Sequence, residues 1–352
     1  MVSLGSDFPT LLARVRPEVE RRLVELWDAK LRAVKGHGAE VTAMVEATRD
    51  LTLRGGKRFR AALLVAAYTG VAPDAPLEPA LQGGVALELL QSYLLIHDDW
   101  MDGDPTRRGG PTVHVVLGAK LGDPHLGNAS AILAGDLTWG LALSTLSAID
   151  GPAERVLATV RAFTRIHDDV VIGQQIDVAG KSDDVEAMHA LKTGSYTVSG
   201  PLALGATLAG ATPEALAALG RFAAPVGVAF QLRDDLLGTF ASTEETGKPV
   251  GNDLRRGKRT AILAEAEGRL DAEGKRLLAR VVGHEDASDA DVRAATEALD
   301  ACGARAAVVD RLHRLCDEAE GLARELPITE VARGILAGCA AALRPEARGG
   351  RG

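Results

Sequence analysis

Twice along this 352-residue chain an apolar, helix-length run ends in a pair of aspartates and gives way to a basic loop. The first case is residues 85–114 (VALELLQSYLLIHDDWMDGDPTRRGGPTVH). Leu94, Leu95 and Ile96 lead into Asp98, Asp99, Asp102 and Asp104, and Arg107 and Arg108 follow. The second is Phe230-Gln231-Leu232-Arg233-Asp234-Asp235-Leu236-Leu237-Gly238, followed by TGKP at 246–249 and by Asp253, Arg255, Arg256, Lys258 and Arg259. Carboxylates at a helix C-terminus oppose the helix dipole, so each end calls for a nearby cation. Asp98 and Asp102 are four apart and share one helical face, about 6 Å apart along the axis. Hard oxygen ligands so placed suit Mg²⁺, which keeps waters and takes phosphate oxygens. Arginines offer planar forks for the same phosphates. A solvated acidic helix end is the plain alternative.

The remaining pattern is helical. An Ala- and Leu-rich chain with only 3% aromatic residues lacks the β-branched and aromatic runs of a sheet protein. Helices are expected over 10–33 (broken early by Pro17), 38–50, 61–70, 79–101, 126–149, 152–180 and from Thr212-Pro213 to about 240 with a bend near Pro225. Further helices fill 262–345, one starting at Ser288, with Pro327-Ile328-Thr329 between the last two. A single domain over 1–352 is expected, with 1–9 and 346–352 as loose tails. The net charge of −8 argues against nucleic acid as the main partner. Cys302, Cys316 and Cys339 show no C-x-x-C spacing and read as core residues of a reducing cytosol. No signal-peptide pattern and no membrane-length apolar run is read, so a cytoplasmic location without stable membrane insertion is expected.

Several polar residues stand out against this frame. Arg54-Gly55-Gly56-Lys57-Arg58-Phe59-Arg60 opens a helix, with Lys57 and Arg60 facing the same way. Basic residues at a helix start are unfavourable by dipole, which a bound anion would relieve. Gln91 lies seven before Asp98, inside an apolar run, and is either a satisfied core amide or a ligand contact. Lys192-Thr193-Gly194 interrupts a helical pattern and is either a phosphate contact or a surface kink. Asp136 lies within an apolar segment. Asp168-Asp169 and Asp183-Asp184 lack a third carboxylate one turn on and read as decoys. No Ser-His-Asp or Cys-His arrangement and no Walker loop is found. Two acidic ends facing one cavity, basic residues at its rim and apolar walls below would suit a diphosphate head with a hydrocarbon tail. The fitting chemistry is metal-assisted departure of diphosphate in a dry pocket.

From about Gly55 to Arg259 the chain resembles the trans-isoprenyl diphosphate (polyprenyl) synthases. The motifs are GGKRFR at 55–60, DDWMD at 98–102, RRG at 107–109, GQQID at 173–177, KT at 192–193, FQLRDD at 230–235 and TGKP at 246–249. The resemblance implies an all-α fold of antiparallel helices around a deep central cavity, usually in a homodimer. It implies three Mg²⁺ ions per site, with Asp98 and Asp102 (and Asp99 close by) on one side and Asp234 (beside Asp235) on the other. Arg107, Lys192 and Lys248 would hold an allylic diphosphate, with Lys258 nearby. Lys57, Arg60, Gln91 and Arg108 would hold isopentenyl diphosphate. Thr193 and Gln231 would steady the developing cation, and released diphosphate would remove the final proton.

Two positions depart from the family pattern. Gly238 stands where a third Asp is common, and Gln91 where His is frequent. Tyr93 and Leu94, five and four before Asp98, would floor the pocket as in short-chain enzymes, which points to geranylgeranyl diphosphate with some farnesyl diphosphate. A class I terpene cyclase and a non-catalytic subunit of a heteromeric synthase are the rivals. Lys57, Arg60 and Arg108 oppose the first, and the intact Asp pairs oppose the second.

Overall fold

The computed structural model describes residues 7–179, 187, 188, 190–241 and 250–345. The all-α expectation holds. The helices are α1 Phe8–Val34, α2 Ala39–Leu53, α3 Phe59–Val71, α4 Glu78–Met101, α5 Val113–Leu121, α6 Pro124–Ser147, α7 Ala153–Ala179, α8 Gly200–Ala209 and α9 Pro213–Phe240. Six more follow: α10 Asn252–Arg255, α11 Ala261–Glu267, α12 Ala272–Ala279, α13 Asp289–Ala301, α14 Ala304–Arg324 and α15 Glu330–Ala341. A π-helical segment, Ala190–Ser199, precedes α8. Thr106–Arg107 (β1) and Gly110–Pro111 (β2) form a small antiparallel hairpin.

The chain divides into two compact units. The first holds Met1–Asp168, Tyr196–Gly220 and Glu325–Leu336. In it α4 packs on α3 and α6, α3 on α8, α5 on α6, and α1 on α2 and α3. Helix α4 is apolar nearly all round, the pattern of a buried helix, and Ala80 to Leu90 is buried almost throughout. Close crossing needs glycine: a Cβ at Gly205 of α8 would lie 2.1 Å from the Leu64 carbonyl of α3. Below the first acidic end, Ile96 joins Ala43, Leu51, Val113, Leu117 and Ala131 in one core cluster, so the carboxylates stand on a fixed base.

The second unit holds Asp169–Ser195, Arg221–Arg324 and Ala337–Gly352. Here α11 and α13 pack on α14. Side-chain caps start several helices: Thr260 for α11, Asp271 for α12 and Ser288 for α13.

Three readings of the chain are corrected. Pro17 lies inside an unbroken α1, where Leu11, Val15, Val19, Leu23 and Trp27 bury one stripe. That burial outweighs the roughly 3 kcal/mol cost of an interior proline. The helix expected from Thr212-Pro213 to about 240 is found as α9, with Pro225 inside it. The basic stretch after the first acidic end contains the hairpin, and α5 falls outside the helices expected from the sequence. Its sequence, VHVVLGAKL, is short and β-branched, and its helicity comes from packing on α6. The third concerns membrane-length runs: α6 and α9 are long and apolar enough to cross a membrane by length and composition, with 33% and 44% of their apolar windows buried. Their small residues, Ala, Gly, Ser and Thr, keep the sequence from reading as an unbroken apolar run.

Candidate active site

Helix α4 reaches Met101 with Asp102 as its C-cap. Asp98 keeps 24% of its side chain exposed and Asp102 is exposed, whereas Asp99 is fully buried. Residues one apart on a helix point about 100° apart, so one of the adjacent pair faces out and the other in. Arg107 Nε donates to Asp99 Oδ1 at 2.6 Å. Its Nη2 reaches Asp98 Oδ2 at 3.4 Å and Asp104 Oδ2 at 3.3 Å. Burial pushes Asp99 up to about 6, against the pull of Arg107. Its Oδ2 is buried without a hydrogen-bond partner. Burial alone would lower Arg107, but Asp99, Asp98 and Asp104 hold it above the ordinary guanidinium value. Part of the cation demanded by this acidic end is therefore internal.

The hairpin brings the basic loop alongside. Arg108 and Gly109 are the central residues of its turn, both with positive φ (52° and 73°), as a type I′ turn requires. A left-handed arginine costs about 1 kcal/mol, and a second one occurs at Arg58, φ 54°, just before α3. Non-glycine residues held this way cluster at functional sites. Arg54 Nη1 donates to the carbonyls of Arg107 and Pro111, at 3.2 and 2.9 Å. Arg108 Nη1 returns bonds to the carbonyls of Arg54 and Gly55, at 3.3 and 3.4 Å. Arg58 is buried against Glu88 of α4 at 2.7 Å and donates to Thr52 O at 3.0 Å. Burial and the neighbouring cations Arg58, Arg60 and Arg107 lower Arg108, with Glu88 acting in the opposite direction. Arg60 donates to Thr197 Oγ1 at 2.9 Å and lies over the Tyr196 ring, 4.3 Å from its centroid. Lys57 is exposed on the same loop. The structure thus brings Arg58, Arg60 and Arg107 close enough to Arg108 to lower it, a concentration of like charge that an anion would relieve. Gln91, two turns back on α4, is half-buried.

One level deeper on α4, Tyr93 is buried in an aromatic cluster. Its hydroxyl is 3.1 Å from His167 Nε2. His167 stacks on Trp139 with ring centroids 4.0 Å apart, and Trp139 stacks on Phe163 at 5.4 Å. His97 meets the Tyr93 ring edge-on at 4.8 Å. Leu94 is half-buried beside it. Burial lowers His167, so the neutral ring is favoured.

In the second unit the Asp pair divides the same way. Asp234 is exposed, while Asp235 is buried. Asp235 accepts from Gln231 Nε2 at 2.8 Å and from the Ala261 amide at 2.9 Å, which ties α9 to the start of α11. Lys192 forms an ion pair with Asp177 of the GQQID stretch. Gly173 permits this: a Cβ there would fall 2.5 Å from the Lys192 amide nitrogen. Gly173→Ala is expected to displace the π-helical segment that carries Lys192 and half-buried Thr193, cutting turnover by tenfold or more. Wild-type kinetics in that variant would remove the segment from the site. Lys258 is half-exposed and 3.4 Å from Asp253. Lys248, TGKP and Asp183-Asp184 lie outside the described residues.

Among the described residues no three His, Cys, Asp or Glu side chains are arranged to hold a metal ion by themselves. The donor set still fits Mg²⁺: exposed carboxylates, few in number, leave coordination positions for water and phosphate oxygens. The inward Asp99 accepts from Arg107, and the inward Asp235 accepts from Gln231 and the Ala261 amide. Arg107 faces three carboxylates, Asp98, Asp99 and Asp104. Sequence reading passed over Arg54, Arg58 and Asp177. Glu88 gave a visible signal, a lone acid in an apolar helix that had to find a buried partner.

An all-α chain with two Asp-Asp helix ends and a basic loop before the first is built as a prenyl-transferring enzyme. The polyprenyl synthetase family profile matches residues 41–299, and the chain belongs to that family. A short chain isoprenyl diphosphate synthase of Methanocaldococcus jannaschii is 33% identical over 73% of this chain and 76% of its own. A (2E,6E)-farnesyl diphosphate synthase of Mycobacterium bovis is 36% identical over 74% and 71%. The crystal structure of a geranylgeranyl pyrophosphate synthase from Corynebacterium glutamicum, complexed with isoprenyl diphosphate and magnesium, superposes with TM-score 0.87 at 34% identity, covering 95% of this chain and 99% of that one.

Proposed function

We propose that this trans-prenyltransferase condenses isopentenyl diphosphate with allylic diphosphates, giving mainly geranylgeranyl diphosphate with some farnesyl diphosphate. The observation that carries the reading is the repeated division of the Asp pairs, one carboxylate outward and one anchored inward. The magnesium and isoprenyl diphosphate named with the Corynebacterium structure support it. Asp98 and Asp102, and Asp234 of the second acidic end, would hold Mg²⁺, three ions per site; bound there, the metal would supply charge stabilisation for the departing diphosphate.

The chain's own residues do the rest. Lys192 and Lys248, with Lys258 close by, orient the allylic diphosphate. Arg107 holds Asp98 and Asp99 in place. Lys57, Arg60, Gln91 and Arg108 fix isopentenyl diphosphate, with Arg60 braced by Thr197. When the allylic C–O bond breaks, the Thr193 and Gln231 dipoles steady the cation. The isopentenyl double bond then attacks C1, a carbon–carbon bond forms, and released diphosphate takes the proton from C2. Apolar walls exclude water from the cation. The enzyme is proposed to act in the cytoplasm as a homodimer. Exposed Leu126 and Leu133, seven apart on one face of α6, support an apolar partner surface. The free cysteines fit a reducing compartment.

Incubating the protein with both diphosphates, with and without Mg²⁺, tests this reading. Mg²⁺-dependent chain extension is expected. Its absence would favour a non-catalytic subunit, and cyclic hydrocarbon products a cyclase. Tyr93→Ala is expected to lengthen the products by one or more isoprene units on chromatography. His167→Ala, which frees the Tyr93 hydroxyl, is expected to shift them the same way but less. An unchanged product profile in both would refute the floor assignment.

A further inference from the structure

Arg54 has no part in the reaction as described, yet its side chain spans two of the segments that build the site. It is the C-cap of α2, and its amide bonds back to Asp50 O at 2.9 Å. The guanidinium crosses to the β1–β2 hairpin, more than fifty residues further along the chain. There Nη1 donates to both Arg107 O, at 3.2 Å, and Pro111 O, at 2.9 Å. Room for it exists because Gly110, paired with Arg107 across the hairpin, has no side chain. A Cβ at that position would lie 2.5 Å from Arg54 Nη1 and 2.6 Å from its Cζ.

The contact is returned. Arg108 Nη1 donates to Arg54 O at 3.3 Å and to Gly55 O at 3.4 Å. Two guanidiniums thus cross in opposite directions between one loop and one hairpin, each bonded to the backbone of the other segment. Bonds to main-chain carbonyls fix geometry and leave the charge uncompensated, so the cation stays available to an anion. Arg107 is held at Asp98, Asp99 and Asp104 by its own ion pairs. Arg108 stands instead at the turn, with its left-handed φ of 52°, and its guanidinium is placed by the two loop carbonyls.

We propose that Arg54 is a positioning residue for isopentenyl diphosphate, a role that rests on the reading of Lys57, Arg60 and Arg108 as its ligands. Arg54 pins the hairpin against the loop that opens α3. It thereby sets where the Arg108 guanidinium stands relative to Lys57 and Arg60, and glycine at 110 is what admits it.

Steady-state kinetics with each diphosphate varied in turn, a Mg²⁺ series and melting curves test this. Arg54→Ala is expected to raise KM for isopentenyl diphosphate about tenfold, the size of one hydrogen bond to a charged group. KM for the allylic diphosphate and the Mg²⁺ requirement should stay within about threefold of wild type, because Arg107 keeps its own ion pairs. Arg54→Lys keeps the charge but is one bond too short for the two carbonyls, and is expected to resemble Arg54→Ala. Gly110→Ala should give the same split by displacing the guanidinium, since φ at Gly110 is not positive and alanine strains no backbone there. Arg54→Ala combined with Gly110→Ala should be no worse than either alone by more than about twofold, because both remove one contact. Wild-type KM values in Arg54→Lys would overturn the inference by showing that charge alone suffices. So would both KM values rising alike with a lowered melting temperature, or a double variant showing the product of the single effects. Wild-type protein that fails to extend an allylic diphosphate would overturn the functional reading itself, a result distinct from any of these.

Discussion

Asp98→Asn is expected to lower kcat/KM about a thousandfold, a loss of about 4 kcal/mol of transition-state stabilisation. Asp234→Asn is expected to cost as much. The adjacent Asp99→Asn and Asp235→Asn should each stay within about tenfold of wild type. The difference follows from orientation. Asp98 keeps part of its side chain at the surface and Asp234 is exposed, whereas Asp99 is buried against Arg107 and Asp235 against Gln231 and the Ala261 amide. Asp235→Asn should act mainly on stability, since the α11 start loses a charged acceptor worth roughly 1 kcal/mol. Steady-state kinetics across a Mg²⁺ series, with melting curves for each variant, would check the division. If Asp99→Asn proved as costly to kcat as Asp98→Asn at unchanged stability, the outward-inward assignment would be wrong.

Glu88→Gln is expected to destabilise the protein by about 3–5 kcal/mol, the loss typical when one member of a buried ion pair is removed. Glu88 is the buried carboxylate that faces Arg58, whose side chain is only 1% exposed. Without it the guanidinium keeps Thr52 O and a 3.5 Å approach to Glu20, too little to replace a buried counter-charge. The consequence reaches the site, because Arg58 holds its left-handed φ in the same loop that presents Lys57 and Arg60. Replacing both partners with apolar residues (Arg58→Met with Glu88→Leu) should recover most of the stability. That double variant should still bind isopentenyl diphosphate poorly, because the loop loses its anchor. Urea unfolding and substrate titration separate the two effects. A Glu88→Gln protein as stable as wild type would mean the pair is not a fixed part of the fold.

The ends of α4 and α9 were legible in the sequence because helical spacing is a local rule. Four residues bring Asp98 and Asp102 to one face whatever surrounds them. The need for cations followed from the helix dipole and like-charge repulsion alone. The hairpin at 106–111 was not legible, since its turn places an arginine where asparagine or glycine is usual. Nor was α5, whose β-branched sequence is helical only because α6 packs against it.

The residue string itself determined the all-α class, the acidic ends of α4 and α9 and the basic residues that follow each of them, since all of these come from composition and from a period of 3.6. Tertiary structure decided which Asp of each pair turns inward, that Arg107 belongs to the acids and that Arg58 rests on Glu88. Those choices depend on groups far apart in the chain. Burial rewards or penalises a charge only once its neighbours are in place.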